Sequence, residues 1–312
     1  MTDATDRPLL GADAAGSVAE IHRFPVKSMQ GERLEHVEVG LAGLAGDRAY
    51  AVVDAADGVV ASAKRPRRWA RLLEVQARYA DESPSIRAPA APVTIELPDG
   101  TTHRSDDEGI HAALSRYLGR EVRLESTAGP DRRFHEVWPD IEGLAPAEFI
   151  AGTRMDGGAA DEDGEAISEI ALGALAPPGT FFDVATLHVL TTSTLAALAA
   201  VAPESTFDVQ RYRPNVLVAT VDTGFVENEW ASARLSLGTD VTADGAIPTM
   251  RCVMTTLPQG DLDQDRGSLR AIASTNRLEI PGLGTWACAG IYATVTGAGA
   301  LGVGDEVRVS PR

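Results

Sequence analysis

The chain has 312 residues, 44% hydrophobic and 23% charged, enough for two soluble domains or one large one. Its 45 acidic residues outweigh 28 basic ones, and a net charge of -17 argues against nonspecific binding to nucleic acid or to an anionic membrane surface. The first 17 residues lack a signal-peptide pattern, no apolar run approaches the ~20 residues that span a bilayer, and two cysteines make no disulfide framework, so a cytoplasmic setting is expected.

Residues 1–16, rich in Ala, Asp and Gly, read as a disordered tail. Short strands follow. Val18–Phe24 alternates and stops at Pro25, Leu34–Val39 alternates up to Gly40, and Gly46–Asp54 runs to the turn pair Asp57-Gly58. Leu72–Tyr79 and Val93–Leu97 read as further strands, Asp106–Leu118 as a helix with Ile110, Leu114 and Leu118 on one face, and Glu121–Glu125 as a strand. Gly152–Glu165 is acidic and glycine-rich, an exposed loop or insertion, and Pro177-Pro178-Gly179 breaks the chain again.

A second block opens at Phe181-Phe182-Asp183. His188–Leu190 reads as a strand, Thr192–Val201 as a helix behind a Ser/Thr cap, and Val216–Val221 as a Val-rich strand. Trp230–Leu237 and Met250–Thr255 are further strand candidates, Leu269–Ala273 a short helix, and Tyr292–Val295 and Val307–Val309 closing strands. Many short strands with few helices predict a β-dominated α+β fold, a barrel.

Four polar segments stand at strand ends or turns: Pro25-Val-Lys-Ser28, Gly46-Asp-Arg48, Arg211-Tyr-Arg-Pro-Asn215 and Met250-Arg-Cys252. Each cation alone reads as a surface residue. Together, Lys27, Arg48, Arg213 and Arg251 could converge on an anion such as a phosphate-bearing cofactor. Thr191 and Thr192, at a helix start, could add hydroxyls and N–H donors. Cys252 is a soft ligand next to a guanidinium, but one cysteine cannot hold zinc or an iron–sulfur cluster. If it binds metal, a cofactor must bring most of the coordination; otherwise it is a buried strand cysteine. Cys288 reads as structural. The six histidines show no metal-ligand spacing, and His135-Glu136 belongs to no H-E-x-x-H signature.

In this order the motifs resemble the MOSC family, named after the C-terminal domain of molybdenum cofactor sulfurases. The resemblance runs from about Val18 through Phe24-Pro-Val-Lys-Ser28, Gly46-Asp-Arg48, Tyr212-Arg-Pro-Asn215, Glu227-Asn-Glu-Trp230 and Arg251-Cys252-Val-Met-Thr-Thr256 to Leu301-Gly-Val-Gly-Asp-Glu-Val307. It is strongest to two-block members similar to the mitochondrial amidoxime-reducing component. It implies a β-rich MOSC_N-like domain over 17–145, a linker or insertion over 146–180 and a MOSC β-barrel over 181–312.

The resemblance also implies a molybdenum cofactor, a molybdenum-bearing pterin, with Cys252 as catalytic residue and metal ligand. Lys27, Ser28, Arg48, Arg213, Asn215 and Arg251 would hold its phosphate or pterin, with Thr191 and Thr192 as further contacts. The implied activity is reduction of N-hydroxylated small molecules such as amidoximes, hydroxylamines and N-oxides, with oxygen passing from nitrogen to the metal. Some bacterial relatives carry a ferredoxin-like module. None is read here, so a separate electron-donor protein of ferredoxin or flavoprotein type is expected. Positions often held by cysteine in close relatives are Met29 and Thr249 here, and Asn228 is a mild departure. The alternatives are a sulfur-transfer protein carrying sulfur on Cys252, or a cofactor carrier without turnover.

Overall fold

The computed structural model describes residues 14–79, 84–86, 91–156 and 165–312. The expected tail lies outside the described residues up to residue 13, and the first strand already begins at Ala14.

Seven strands close into a barrel. In chain order they are β1 (Ala14–Arg23), β2 (Leu187–Thr191), β3 (Val216–Thr220), β4 (Ala233–Leu237), β5 (Val241–Met250), β6 (Gly284–Gly297) and β7 (Glu306–Pro311). Around the barrel the order is β2-β3-β1-β7-β4-β5-β6, and β6 returns to β2. Only β2–β3 is parallel. The N-terminal block thus supplies one stave, β1, between β3 and β7, and pairs Ile21 with Val216 and Gly16 with Val307. Alternate residues fill the interior: Val18 and Ile21 from β1 meet Val189, Val218, Leu235 and Ile291, all essentially inaccessible to water. Register shifts in β1 and along β5–β6 mark bulges, the usual device for bending strands into closure.

The remaining N-terminal segments form small sheets. Gln76–Arg78, Thr94–Glu96 and Thr102–Arg104 make one, and Ala51–Asp54 pairs with Val122–Glu125. Helix α1 (Ile110–Leu118) buries Ile110 and Leu114 against Trp69, Leu72 and Ile95, and Gly119 ends it in the left-handed conformation. On the barrel side, α2 (Thr192–Val201) and α3 (Arg266–Thr275) share a core built on Leu198, Leu269 and Ile272.

Several strand readings shift. Gly46–Arg48 is a turn, and the strand is Ala51–Asp54. Ala70–Glu74 is a 3-10 turn ahead of Gln76–Arg78, and Val226–Ser232 is another ahead of β4. The expected strand Met250–Thr255 ends at Met250. Cys252 opens a 3-10 turn over Val253–Thr256, because the Thr255 and Thr256 hydroxyls donate to the Cys252 and Val253 carbonyls and favour a local turn over a ladder. Within the acidic stretch, Arg154–Asp156 is a short strand, while residues 157–164 lie outside the described residues.

Candidate functional site

The C-terminal end of β1 lies beside the start of β3 because the two run antiparallel, and the parallel β2 starts at the same end. There His22 N–H donates to the Asn215 carbonyl. The end of β5 arrives beside them through β6, where Met250 pairs with Cys288. Segments that follow β1 and β5 and precede β3 therefore converge on one barrel mouth. A cavity opens there, walled on the other side by the N-terminal block.

Seven of the nine residues proposed from sequence line this cavity: Lys27, Ser28, Arg48, Arg213, Asn215, Arg251 and Cys252. Ser28, Arg48 and Arg213 are also the only non-glycine residues with positive φ among the described residues, at 63°, 46° and 54°. Left-handed backbone at serine or arginine is uncommon, and such strain clusters where function over-determines geometry. Strain and charge coincide here.

The cations are mostly held by aromatic rings and carbonyls. Arg48 and Arg213 both lie over the Phe24 ring, at 4.6 and 4.0 Å from its centroid. Arg213 donates to the Met29 carbonyl (2.7 Å) and Arg48 to the Arg213 carbonyl (3.3 Å). Arg251 donates to the Tyr212 carbonyl (3.1 Å), and its Nε is buried without a partner. Lys27 donates to the Phe181 carbonyl (3.1 Å) and pairs with Asp183. Burial, then the neighbouring Lys64, Arg48 and Arg213 charges, push the Lys27 pKa well below the usual lysine range. Burial and the Arg48 charge depress Arg213 in the same way. Two cations of this cavity are therefore disfavoured by their surroundings, and a negative charge placed beside them would relieve that cost.

Two proposed residues do different work. The Asn215 carboxamide accepts from His188 N–H (3.1 Å) and donates to Asp47 (2.9 Å) and to the His22 carbonyl (3.3 Å). Asp47 also accepts from Phe24 N–H (2.7 Å) and pairs with Arg48. Asn215 thus braces the loops that carry the cations. Ser28 accepts from Ala63 N–H (3.1 Å), which joins it to the segment leading to Lys64.

Thr191 and Thr192, expected as further contacts, do not line the cavity. Thr191 caps α2, accepting from Thr194 N–H (3.2 Å), and donates to the wholly buried Glu227 (2.6 Å). Glu227 also accepts from Thr194 Oγ1 (2.7 Å) and Gly290 N–H (3.1 Å). Burial raises the Glu227 pKa while the two hydroxyls pull it back down. These contacts tie α2 to β6 and leave the helix start occupied by a protein carboxylate.

Cys252 is 8% exposed. Ala63, Leu73, Val253, Met254 and Leu257 cluster with it, and it lies on the cavity wall. A soft donor thus shares one cavity with several cations.

Residues 15–120 match the MOSC N-terminal beta barrel domain and residues 178–308 match the MOSC domain. The chain belongs to the MOSC family. MOSC domains are related to the C-terminal domain of molybdenum cofactor sulfurases, and the family is linked to molybdenum-cofactor binding. A solved structure of the YuaD protein from Bacillus subtilis is similar at a TM-score of 0.42 and 10% identity, over 95% of this chain and 96% of that one. No curated protein sequence matches.

The MOSC cavity holds residues that the motifs did not single out. Lys64 pairs with Glu136 (2.9 Å) and Asp183 (3.2 Å). Burial alone would lower its pKa, but Glu136 and then the Cys252 sulfur hold it above the usual range. Arg211, His188, Tyr212 and Tyr292 also line the cavity. Burial, then the Arg251 and Arg48 charges, push the His188 pKa well below the usual histidine range. Lys64 sits in Ala61-Ser-Ala-Lys-Arg65, a stretch with no motif, and only the fold shows its place. Arg211 and Tyr212 were inside a noted motif, but nothing in it separates wall from support. Cys288 is fully buried and its thiol is pushed up to about 12 by burial, which fits the structural role expected for it. Among the described residues no cluster of His, Cys, Asp and Glu could hold a metal unaided, and no helix is long and apolar enough to cross a membrane.

Proposed function

We propose that this MOSC protein is a molybdenum-cofactor-dependent reductase of N-hydroxylated small molecules such as amidoximes, hydroxylamines and N-oxides. The observation that carries the reading is one soft donor, Cys252, on the wall of a cavity crowded with cations. The donor set fits the group. A single thiolate completes a coordination sphere otherwise supplied by the cofactor's own sulfurs, Lys27, Arg48, Arg213 and Arg251 match a phosphate, and the orphaned Arg251 Nε awaits an acceptor.

When bound, the cofactor supplies two-electron chemistry at an N–O bond. Reduction of such a substrate consumes two electrons and two protons and yields water with the amidine from an amidoxime, or the amine from a hydroxylamine or N-oxide. A separate electron-donor protein of ferredoxin or flavoprotein type would supply the electrons. Cys252 would hold the metal. The guanidiniums over Phe24 would fix the phosphate end, with Asn215 and Asp47 holding their loops in register. Met250, Met254 and Tyr292, which line the same cavity as Cys252, would exclude water from the reacting end.

The test is reduction of benzamidoxime, with a chemical electron donor, by protein made in a cofactor-competent host. Cofactor-loaded protein should turn over and Cys252→Ala should not. Added sulfur on Cys252 without bound pterin would favour sulfur transfer instead.

A further inference from the structure

Arg211 is 2% exposed and is among the largest fully buried side chains of the molecule. It rises from the one-turn helix Val209–Tyr212, which Asp208 caps through the Gln210 N–H (2.8 Å) and which Arg213 ends in the left-handed conformation. Its guanidinium donates to three carbonyls on one loop: Thr255 (3.3 Å) and Leu257 (3.2 Å) through one terminal nitrogen and Asp263 (2.7 Å) through the other. That loop begins at Cys252 and ends where Asp265 caps α3. Ser268 Oγ donates to the same Thr255 carbonyl (3.2 Å). From the other side, Arg251 donates to the Tyr212 carbonyl (3.1 Å). The two arginines cross-brace the Arg213 helix and the Cys252 turn.

A 3-10 turn of four residues has little stability of its own. One carbonyl of the turn, Thr255, and two that follow it, Leu257 and Asp263, accept from a planar fork whose two arms reach opposite ends of the loop, a span that a single ammonium cannot copy. We infer that Arg211 is a positioning residue: it fixes the distance between the Cys252 sulfur and the cations that follow Tyr212. Although Arg211 borders the cavity, both its terminal nitrogens are committed to carbonyls of the Cys252 loop, and it acts through that backbone. The part of this inference that concerns cofactor retention rests on the molybdenum reading above; the mechanical part does not.

The test uses full-length Arg211→Lys, with Arg211→Gln as the second variant should the first not fold. Hydrogen–deuterium exchange on cofactor-free protein is the first readout. Amides of residues 253–263 should exchange at least ten times faster than in wild type, with β1 to β7 unchanged, and iodoacetamide should alkylate Cys252 faster. Inorganic phosphate should bind the variant and wild type within about twofold, because the Phe24 pair of guanidiniums is untouched. In cofactor-loaded protein, pterin content should fall at least tenfold in the variant. Unchanged exchange at 253–263, or a rise spread evenly over the barrel, would overturn the positioning role whatever the metal content. Absence of pterin from wild type, with the local exchange effect intact, would instead count against the molybdenum reading alone.

Discussion

At the scale of single residues, the site rests on like charges packed closer than they would choose. Lys27 has a lowered proton affinity in the folded chain, so the unfolded chain binds more protons between that lowered pKa and the ordinary lysine value of 10.5. Stability of the cofactor-free protein should therefore rise with pH across that window, and thermal melts from neutral pH upward will show it. Binding of phosphate, which needs the ammonium, should weaken over the same window. At neutral pH, inorganic phosphate at 100 times its dissociation constant should stabilise the protein by about 2.7 kcal/mol, and Arg213→Ala should abolish most of that gain. Cys252→Ser should lower turnover by ~100-fold or more, since even partners of metal ligands are worth 10–100-fold, while leaving phosphate binding intact. The seven motif residues that line one cavity, Cys252 among them, stood out in the sequence because cations and a cysteine at strand ends are unusual for their context. Lys64 did not, because a lysine beside Arg65 looks like any surface pair until the fold sets it against Glu136 and Asp183.

Elements explain which residues moved out of the site and why. Thr191 and Thr192 carry the signature of a helix start, and a helix start can bind an anion. Here Glu227 fills that role from within the protein. Thr191→Ala should thus cost about 1–2 kcal/mol as a lost cap and leave phosphate affinity unchanged, which a melt and a titration calorimetry run will separate. The same scale shows the limit of periodicity. The stretch from Met250 reads as a strand from its apolar content, yet threonine hydroxyls bonded to nearby carbonyls bend it into a turn at Cys252. The Trp230–Leu237 reading began too early for a similar reason, as its first residues coil into a 3-10 turn before β4. Gly46 is required by its position. It has φ +78°, and a Cβ there would lie 2.5 Å from Pro84 Cγ and 2.6 Å from the Tyr79 ring. Gly46→Ala should destabilise by about 1–3 kcal/mol and weaken phosphate binding by displacing Asp47 and Arg48.

For the whole molecule, the β-dominated class follows from the frequency of turn residues and alternating segments, while the two-block order comes from the resemblance to the MOSC family. The closure does not. β1 lies some two hundred residues from β3 in sequence yet pairs with it, and that pairing brings Lys27 and Arg213 to one mouth. Local periodicity carries no information about such long-range partners. The overall acidity and the clustering of cations also separate only in three dimensions: the chain carries a net charge of -17, yet Lys27, Arg48, Lys64, Arg211, Arg213 and Arg251 line one cavity. In the proposed reductase, Cys252 and the cations hold one molybdenum-bearing pterin between them. The decisive measurement is metal and pterin analysis of natively purified wild type and Cys252→Ser. Wild type should carry molybdenum and pterin in equal amounts, and the variant should lose the metal. Wild-type protein from a cofactor-competent host that carries neither, or a variant that keeps its full molybdenum, would contradict the proposal.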